Sequence, residues 1–344
     1  MLVVGTVIGA GFASGREIVA FFGVTPSPWV ALLCAAITFV MCAVFLLVGE
    51  KANADDLGEV NARIGGRADA LLNIVMLFNS AISLAAMFAG FDSLFSEFYP
   101  LKPLYSIVFA IISVLIVTKG LDGLIKCNVV LVPALALVIV FVTLSSITEP
   151  MTSPFIAVNA LRSLTYIGMN MMLAASVLTT IHGLSKKQIF IASGVTAAIV
   201  GALVLLIILA LGSSYAGEAD MPIVAMSSRL GKIVYGFGVF AVDAGILTTM
   251  LTAHVALTEW LDGIVGHKLL SAFCTAAVCL ALGFMGFKTV VDVLYPVLGV
   301  LGVVYFAINL FYLFPHRDAS VKRFRRGNVT RLPMRAGYGS NISR

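Results

Sequence analysis

The chain is poor in charged residues, and this shortage excludes most classes of soluble protein. Only 11% of its 344 residues are Asp, Glu, Lys or Arg, whereas 60% are hydrophobic, and the mean hydropathy is +1.06. A soluble domain has about 25% charged and about 45–50% apolar residues. A chain of this composition therefore needs lipid as its solvent.

Residues that usually carry enzymatic chemistry are also scarce and scattered. The four histidines show no H-x-x-x-H spacing, and the sequence contains neither a P-loop nor a nucleophile elbow. The five cysteines lie in or beside apolar segments, and none has the spacing of a metal site. We therefore expect neither an enzyme nor an ATP-driven pump, and we expect no organic cofactor.

What the sequence does contain is a series of about ten apolar stretches, each of a length that suits a membrane span. They predict an all-α membrane protein. The longest connection, Glu50–Ala68, is polar and favours a short surface helix. The predicted spans are Leu2–Phe22, Trp29–Gly49, Asp69–Phe95, Pro103–Thr118, Leu121–Ile147, Asn159–Ile181, Ile189–Gly212, Lys232–Leu257, Lys268–Phe284 and Thr289–Phe314.

Most of the 22 Lys and Arg residues fall on one side of these spans when the N-terminus is placed inside. Because positively charged loops stay cytoplasmic, we predict a multi-pass protein of the bacterial inner membrane with both termini in the cytoplasm. The basic tail, residues 316–344, is interpreted as a topology signal that also attracts anionic lipid. It is not interpreted as a nucleic-acid module.

The first span is interrupted at mid-depth. Its residues Gly9–Gly15 read GAGFASG and are followed directly by Arg16 and Glu17. Irregular backbone at this depth is tolerated only where it is buried in protein or lines a cavity. Unwound backbone offers N–H and C=O groups to a small ligand, as in transporters built from broken helices.

The sixth span, which opens the second half of the chain, has a matching weak point. Tyr166–Asn170 reads YIGMN and puts glycine and asparagine in mid-span. Interruptions at corresponding positions predict two inverted repeats. The alternative is that Gly168 only allows close helix packing. The predicted organisation is one transmembrane transporter domain, 1–315, with repeats 1–150 and 151–315, followed by the cytoplasmic tail 316–344.

Two segments carry a resemblance to known proteins. Gly5–Ile18, GTVIGAGFASGREI, is similar to the signature of the bacterial YkvI family of membrane proteins. That family distantly resembles the neurotransmitter:sodium symporters and the wider amino acid–polyamine–cation superfamily. Lys119–Pro133, which begins KGLDGLIK and ends VP, resembles the entry of the symporters into their helix 5. The resemblance implies a LeuT-type fold of five plus five inverted repeats with helices 1 and 6 discontinuous.

The resemblance also implies a sodium site between helices 1 and 8. Gly9–Gly11 matches the G-L-G of the symporters, and Gly245–Thr249 resembles their A-x-x-[TS]-S. The alternative is that the threonine hydroxyls bond back to carbonyls one turn earlier. A second sodium site is not expected, because Phe12 replaces its asparagine. The implied ligands are the carbonyls of Gly5, Ile8 and Gly245 and the hydroxyls of Thr248 and Thr249.

A small solute is expected where the two predicted breaks meet. Free N–H groups at the start of the second half of helix 1 favour an anionic group, such as the carboxylate of an amino acid. Hydrogen bonds between packed helices are the alternative for each polar side chain of this set. The candidate substrate-binding residues are Ala10, Gly11, Phe12, Ser14, Asn79, Ser83, Tyr166, Gly168 and Asn170.

Three charged residues are candidates for a gate or a proton relay. The symporters close their outer vestibule with an arginine after the break and an aspartate that begins helix 10. Here these are Arg16 and Asp292, although Arg16 falls one residue late. Glu17 is an alternative partner for Arg16. The alternative to a gate is that these charges only mark a solvated helix end. Asp243 lies in mid-span of the eighth helix, where a carboxylate is a functional hypothesis by default. The alternative is that Asp243 only forms hydrogen bonds with neighbouring hydroxyls or backbone groups.

Together these patterns predict a secondary active transporter. It would move a small solute, an amino acid or related zwitterion, by alternating access with sodium as the coupling ion. Two alternatives stay open: a proton-coupled transporter that uses Asp243, and a ligand sensor on the same fold that does not transport. The expected partners are the solute and the lipid bilayer. The sequence does not define the oligomeric state.

Overall fold

The structure, a computed structural model, describes residues 9–96, 98–119, 122–149, 152–214 and 216–314. This part of the chain is helical and contains no strand. The helices are α1 Ala10–Ser14, α2 Arg16–Phe22, α3 Trp29–Ala52, α4 Leu57–Gly65, α5 Asp69–Phe95, α6 Leu104–Lys119, α7 Asp122–Ser146, α8 Val158–Leu178, α9 Lys186–Ser214, α10 Pro222–Arg229, α11 Lys232–Val265, α12 Lys268–Gly283 and α13 Phe287–Leu313.

The helices reproduce the ten predicted spans with small differences at their ends. α1 and α2 form the part of the first span that the structure describes, and the other nine spans are α3, α5, α6, α7, α8, α9, α11, α12 and α13. In the described ranges, α3, α5, α9, α11 and α13 are long and apolar enough by length and composition to cross a membrane. The chain is a multi-pass membrane protein, as its composition predicts.

Two short helices lie in the connections. α4 occupies the polar connection Glu50–Ala68, and the Asp56 carboxylate caps it by accepting the Glu59 N–H at 2.8 Å. The sequence analysis missed α10, which lies between α9 and α11. Pro222 in its first turn was the available signal, because proline is favoured at that position of a helix.

The outward-facing side chains of the long helices are apolar. Leu32 of α3, Phe273 of α12 and Phe311 of α13 are 65%, 63% and 65% exposed. Water would make such a surface unfavourable, whereas lipid tails are as apolar as these side chains. The helices therefore present their hydrophobic residues both to one another and to the bilayer.

The packing of the helices repeats between the two halves of the chain. α5 packs on α6 as α11 packs on α12, and α7 contacts α1 as α13 contacts α8. α3 also packs on α13 as α9 packs on α7. Exchanging the first five spans for the last five therefore maps one set of contacts onto the other, which is the arrangement that two structural repeats produce. The boundaries 1–150 and 151–315 stay a prediction.

The first span is broken, as predicted, although not along its whole glycine-rich run. Gly9 is extended, with φ −112° and ψ −167°, and α1 follows as a short helix. The break between α1 and α2 is at Gly15, whose φ of +75° favours glycine. The Ser14 hydroxyl bridges this break by donating to the Gly11 carbonyl at 3.1 Å and accepting the Arg16 N–H at 3.2 Å.

The predicted discontinuity of the sixth span is wrong. α8 is one helix from Val158 to Leu178 and passes through Gly168 without interruption. A Cβ on Gly168 would lie 2.9 Å from the carbonyl oxygen of Gly299 on α13. A Cβ on Gly302 would lie 2.1 Å from the carbonyl oxygen of Gly168. The glycine serves close packing of α8 and α13, which is the alternative reading that the sequence left open.

We expect Gly302→Ala to destabilise the protein, because the new methyl group would meet the Gly168 backbone, which cannot rotate away. Overpacking of this kind costs roughly 1–3 kcal/mol. The matched control is Gly236→Ala in α11, since a Cβ there meets no atom within 4 Å and alanine favours a helix by about 1 kcal/mol. Thermal unfolding in detergent should show a loss only for Gly302→Ala. An equal loss in both variants would contradict the packing argument.

Candidate functional site

The broken first helix lies against the middle of α11. The Ala10 N–H donates to the Thr249 hydroxyl oxygen at 3.4 Å. Gly245 allows the close approach, because a Cβ there would lie 3.2 Å from Ala13 Cβ and 3.4 Å from Ala10 Cα. The structure thus brings together the segments of helix 1 and helix 8 between which the sequence places a sodium site.

One oxygen of the predicted sodium set, the Thr249 hydroxyl, lies at this contact. The Thr249 hydroxyl oxygen lies 3.6 Å from where a Cβ on Gly9 would be. The Thr248 hydroxyl donates to the Gly245 carbonyl at 3.1 Å, which is the back-bonded alternative. Neutral carbonyl and hydroxyl oxygens are the ligand type that hard cations accept. Gly5 and Ile8, the other two predicted ligands, lie outside the described residues.

Arg16 and Asp292 form a bidentate ion pair just after the break. Arg16 Nε lies 3.1 Å from Oδ1 of Asp292, and Nη2 lies 2.5 Å from Oδ2. Arg16 Nη1 also donates to the carbonyl of Gly217 at 3.2 Å. The arginine side chain is 5% exposed and the aspartate side chain 33%. Because a bidentate ion pair fixes orientation as well as distance, this pair holds α2 against α13. The bond from Nη1 to Gly217 holds α2 against the turn before α10.

An aromatic cluster covers the side of the break that faces α8. The ring of Tyr166 lies 6.0 Å from that of Phe12 and 5.4 Å from those of Phe21 and Phe22, between centroids. The Tyr166 hydroxyl is buried and has no hydrogen-bond partner among the described residues. Phe12 and Tyr166, both candidate substrate residues, are therefore brought together.

The remaining substrate candidates are distributed differently. Ser14 is occupied in bridging the break, and Gly168 faces α13. Asn170 is buried on α8, and its amide donates to the Tyr166 carbonyl at 3.1 Å. Asn79 and Ser83 are buried on α5, which packs against α8 and α11. The candidate set thus separates into a group at the break and a pair on α5.

A buried carboxylate, Glu17, lies in the same place, although the sequence analysis considered it only as a partner for Arg16. Glu17 is 5% exposed. A Cβ on Gly11 would lie 1.6 Å from Glu17 Oε1, so the carboxylate fills the space that this glycine leaves. Asn170, Tyr166 and Tyr295 are close enough to interact electrostatically with its carboxyl group. An acidic residue inside an apolar span was the signal that could have identified it.

Asp243 lies on α11, six residues before Thr249, and is half-buried. Its Oδ1 atom has no hydrogen-bond partner in the described ranges. The structure therefore keeps this carboxylate available for a proton but does not join it to the other candidates. In the part of the chain that is described, no group of three or more His, Cys, Asp or Glu side chains could hold a metal ion.

Comparison with known proteins supports the fold. No family model matches the chain. The chain is similar to an uncharacterised membrane protein, YkvI, of Bacillus subtilis (strain 168), with 24% identity over 338 residues that cover 91% of this chain and 95% of that protein. The resemblance found in the sequence is confirmed at this level.

Solved transporter structures share the architecture. MhsT in complex with L-phenylalanine matches with a TM-score of 0.65 and 14% identity, covering 91% of this chain and 88% of that chain. Inward-facing Mhp1 matches at 0.60 and 16%, covering 89% and 75%. A manganese transporter of Eremococcus coleocola matches at 0.58 and 13%, covering 90% and 76%. The fold is therefore of the LeuT type.

We expect Asp292→Asn to destabilise the folded protein, because it leaves the Arg16 guanidinium buried without its counter-charge. Removing one partner of a buried pair costs about 3–5 kcal/mol, and the partial exposure of Asp292 reduces this to roughly 1–3 kcal/mol. The control is Glu59→Gln, which breaks the exposed Arg63–Glu59 pair and should cost under about 0.5 kcal/mol. Thermal unfolding of both variants measures the difference, and similar small losses would contradict the role of the buried pair.

Proposed function

We propose that this protein is a secondary active transporter, not an enzyme, and that it moves a small solute by alternating access with sodium as the coupling ion. The observation that carries the proposal is the position of the broken helix. α1 packs against α11, and α2 packs against α8. The break therefore lies where two groups of helices meet, and relative motion of such groups is how broken-helix transporters expose a central site to either side.

The proposed solute is an amino acid or a related zwitterion. MhsT was solved with L-phenylalanine, and Mhp1 has been solved with bromovinylhydantoin. These neighbours show that the fold accepts different cargoes, so they support the class of protein more than a particular solute. The aromatic cluster of Phe12, Phe21, Phe22 and Tyr166 suits an apolar part of the solute.

The proposed cycle uses the two contacts of the broken helix. Sodium bound by oxygens of Thr248, Thr249 and Gly245 would hold α1 against α11. Separation of Arg16 from Asp292 would release α2 from α13 and open one side of the site. Both termini are proposed to lie in the cytoplasm, which follows from the distribution of basic residues.

We expect sodium to stabilise the purified protein more than potassium or choline does at equal ionic strength. An ion that binds only the folded state, at about 100 times its dissociation constant, adds about 2.7 kcal/mol. The Thr248→Ala/Thr249→Ala double variant should lose the sodium effect because it lacks both hydroxyl ligands. Thermal unfolding in the three chloride salts measures the effect. Thr252→Ala is the control, since its exposed hydroxyl lies one turn along the same helix.

The result that would contradict sodium coupling is uptake into proteoliposomes that proceeds equally well without sodium. Binding of a solute without any uptake would favour the alternative of a sensor on the same fold. Both outcomes are read from one preparation, because the same vesicles report binding and accumulation.

Proton coupling through Asp243 is the second candidate, and its buried Oδ1 atom without a partner in the described residues favours it. A carboxylate that exchanges a proton in each cycle makes uptake depend on pH. We therefore expect Asp243→Asn to flatten the pH profile of uptake measured at constant sodium. An unchanged pH profile in this variant would exclude Asp243 as the proton carrier.

A further inference from the structure

The position of Glu17 depends on two glycines of the break. Glu17 lies in the first turn of α2, directly after Gly15, whose left-handed backbone turns the chain. The side chain reaches back to α1 and places Oε1 where a Cβ on Gly11 would be. The break thus directs a carboxylate into the centre of the molecule, onto the same backbone that the sequence analysis assigned to the solute.

No basic side chain in the described part of the chain compensates this carboxylate. The guanidinium of the neighbouring Arg16 is occupied by Asp292 and by the carbonyl of Gly217. Glu17 Oε2 is buried and has no hydrogen-bond partner among the described residues. A buried carboxylate is unfavourable unless it takes up a proton or pairs with a positive group, so this site favours a proton or a cation beside Glu17.

The surroundings of Glu17 suit an organic cation. Tyr166 and Tyr295 lie near its charge, and Phe12 and Phe21 contact the Tyr166 ring. Aromatic faces attract ammonium groups, and the attraction increases where water is excluded. Glu17 therefore provides the counter-charge, and the aromatic cluster around Tyr166 provides the apolar contacts, for a protonated amine.

The same geometry argues against a carboxylate of the solute at this place. An anionic group bound to the N–H groups of Ala10, Gly11 and Phe12 would lie beside Glu17 Oε1. Two negative charges at short range in a medium of low polarity repel strongly. The Ala10 N–H also already donates to the Thr249 hydroxyl oxygen, which leaves less free backbone for an anion at the start of α1.

We infer that Glu17 is the anchor for the positively charged group of the solute, and that the transported compound is an organic amine in its cationic form. This inference rests on the proposed transport function, but it replaces the zwitterionic solute proposed above with an amine that lacks a carboxylate. In it, Asn170 positions the carboxylate, and the aromatic cluster receives the apolar part of the amine.

The test compares compounds that share a carbon skeleton and differ in charge. Thermal unfolding of the detergent-purified protein in sodium chloride is measured with phenethylamine, L-phenylalanine and 3-phenylpropionate, and with the matched set isopentylamine, L-leucine and 4-methylpentanoate. We expect one of the amines to raise the unfolding temperature most and the two acids to have no effect. Glu17→Gln, which keeps the shape and removes the charge, should weaken amine binding about tenfold or more, the effect of losing about 1.4 kcal/mol.

Two further variants separate charge from structure. Glu59→Gln removes an exposed glutamate of α4 and should bind the amine as the unmodified protein does. Gly11→Ala keeps the charge of Glu17 but puts a methyl group where its Oε1 lies, so it should also weaken amine binding. If Glu17→Gln fails to fold, Gly11→Ala still tests the anchor, because only the flexible end of a side chain has to move.

Three outcomes would overturn the inference. These are the absence of stabilisation by either amine, equal stabilisation by the acids, and amine binding that is unchanged in Glu17→Gln or Gly11→Ala. The Thr248→Ala/Thr249→Ala variant keeps the two proposals apart. Amine binding that requires Glu17 without any sodium effect would overturn sodium coupling and support the anchor. A sodium effect without any amine effect would overturn the anchor alone.

Discussion

A helix that stops inside a membrane leaves backbone N–H and C=O groups where no water can pair with them, and this constraint organises the centre of the molecule. The protein satisfies the break with its own hydroxyls. Ser14 bridges the turn at Gly15, and Thr249 of α11 accepts the Ala10 N–H at the other end. A break that is held by neighbouring side chains can exchange those partners for ions or a solute, which links its stability to its function.

The two halves of the chain contribute to the centre in different ways. The first half offers backbone at a broken helix, whereas α8 of the second half stays continuous. Close packing explains the difference, since Gly168 presses against the α13 backbone and cannot unwind without losing that contact. α8 therefore acts on the site through the side chains of Tyr166 and Asn170. The ten spans therefore pack as two repeats, although of the two corresponding helices only the first is broken.

Two acidic side chains near the break have opposite surroundings. Asp292 is partly exposed and forms a bidentate ion pair with Arg16. Glu17 is buried, and the described residues provide it with no basic partner. A paired charge contributes to holding an arrangement closed, whereas an unpaired buried charge favours a ligand of opposite sign. The first arrangement is the proposed gate, and the second is the proposed binding site.

The sequence by itself determined the class of the molecule. Composition and the length of apolar runs required a helical membrane protein of about ten spans, because lipid leaves few other ways to satisfy a backbone. The glycine-rich run also located the break in the first helix, whereas the pairing of α1 with α11 was implied by the resemblance to the symporters. These features are local, so a pattern along the chain is sufficient to define them.

Only the tertiary structure decided which polar residues meet. A glycine in mid-helix reads the same whether it unwinds the chain or packs against a neighbour, and only the contact with α13 shows that Gly168 does the latter. Similarly, Arg16 and Glu17 are adjacent in sequence, yet one turns to Asp292 and the other to Gly11 and Asn170. The physical reason is that partners in a bundle come from distant spans, and helical spacing specifies a face but not what lies across from it.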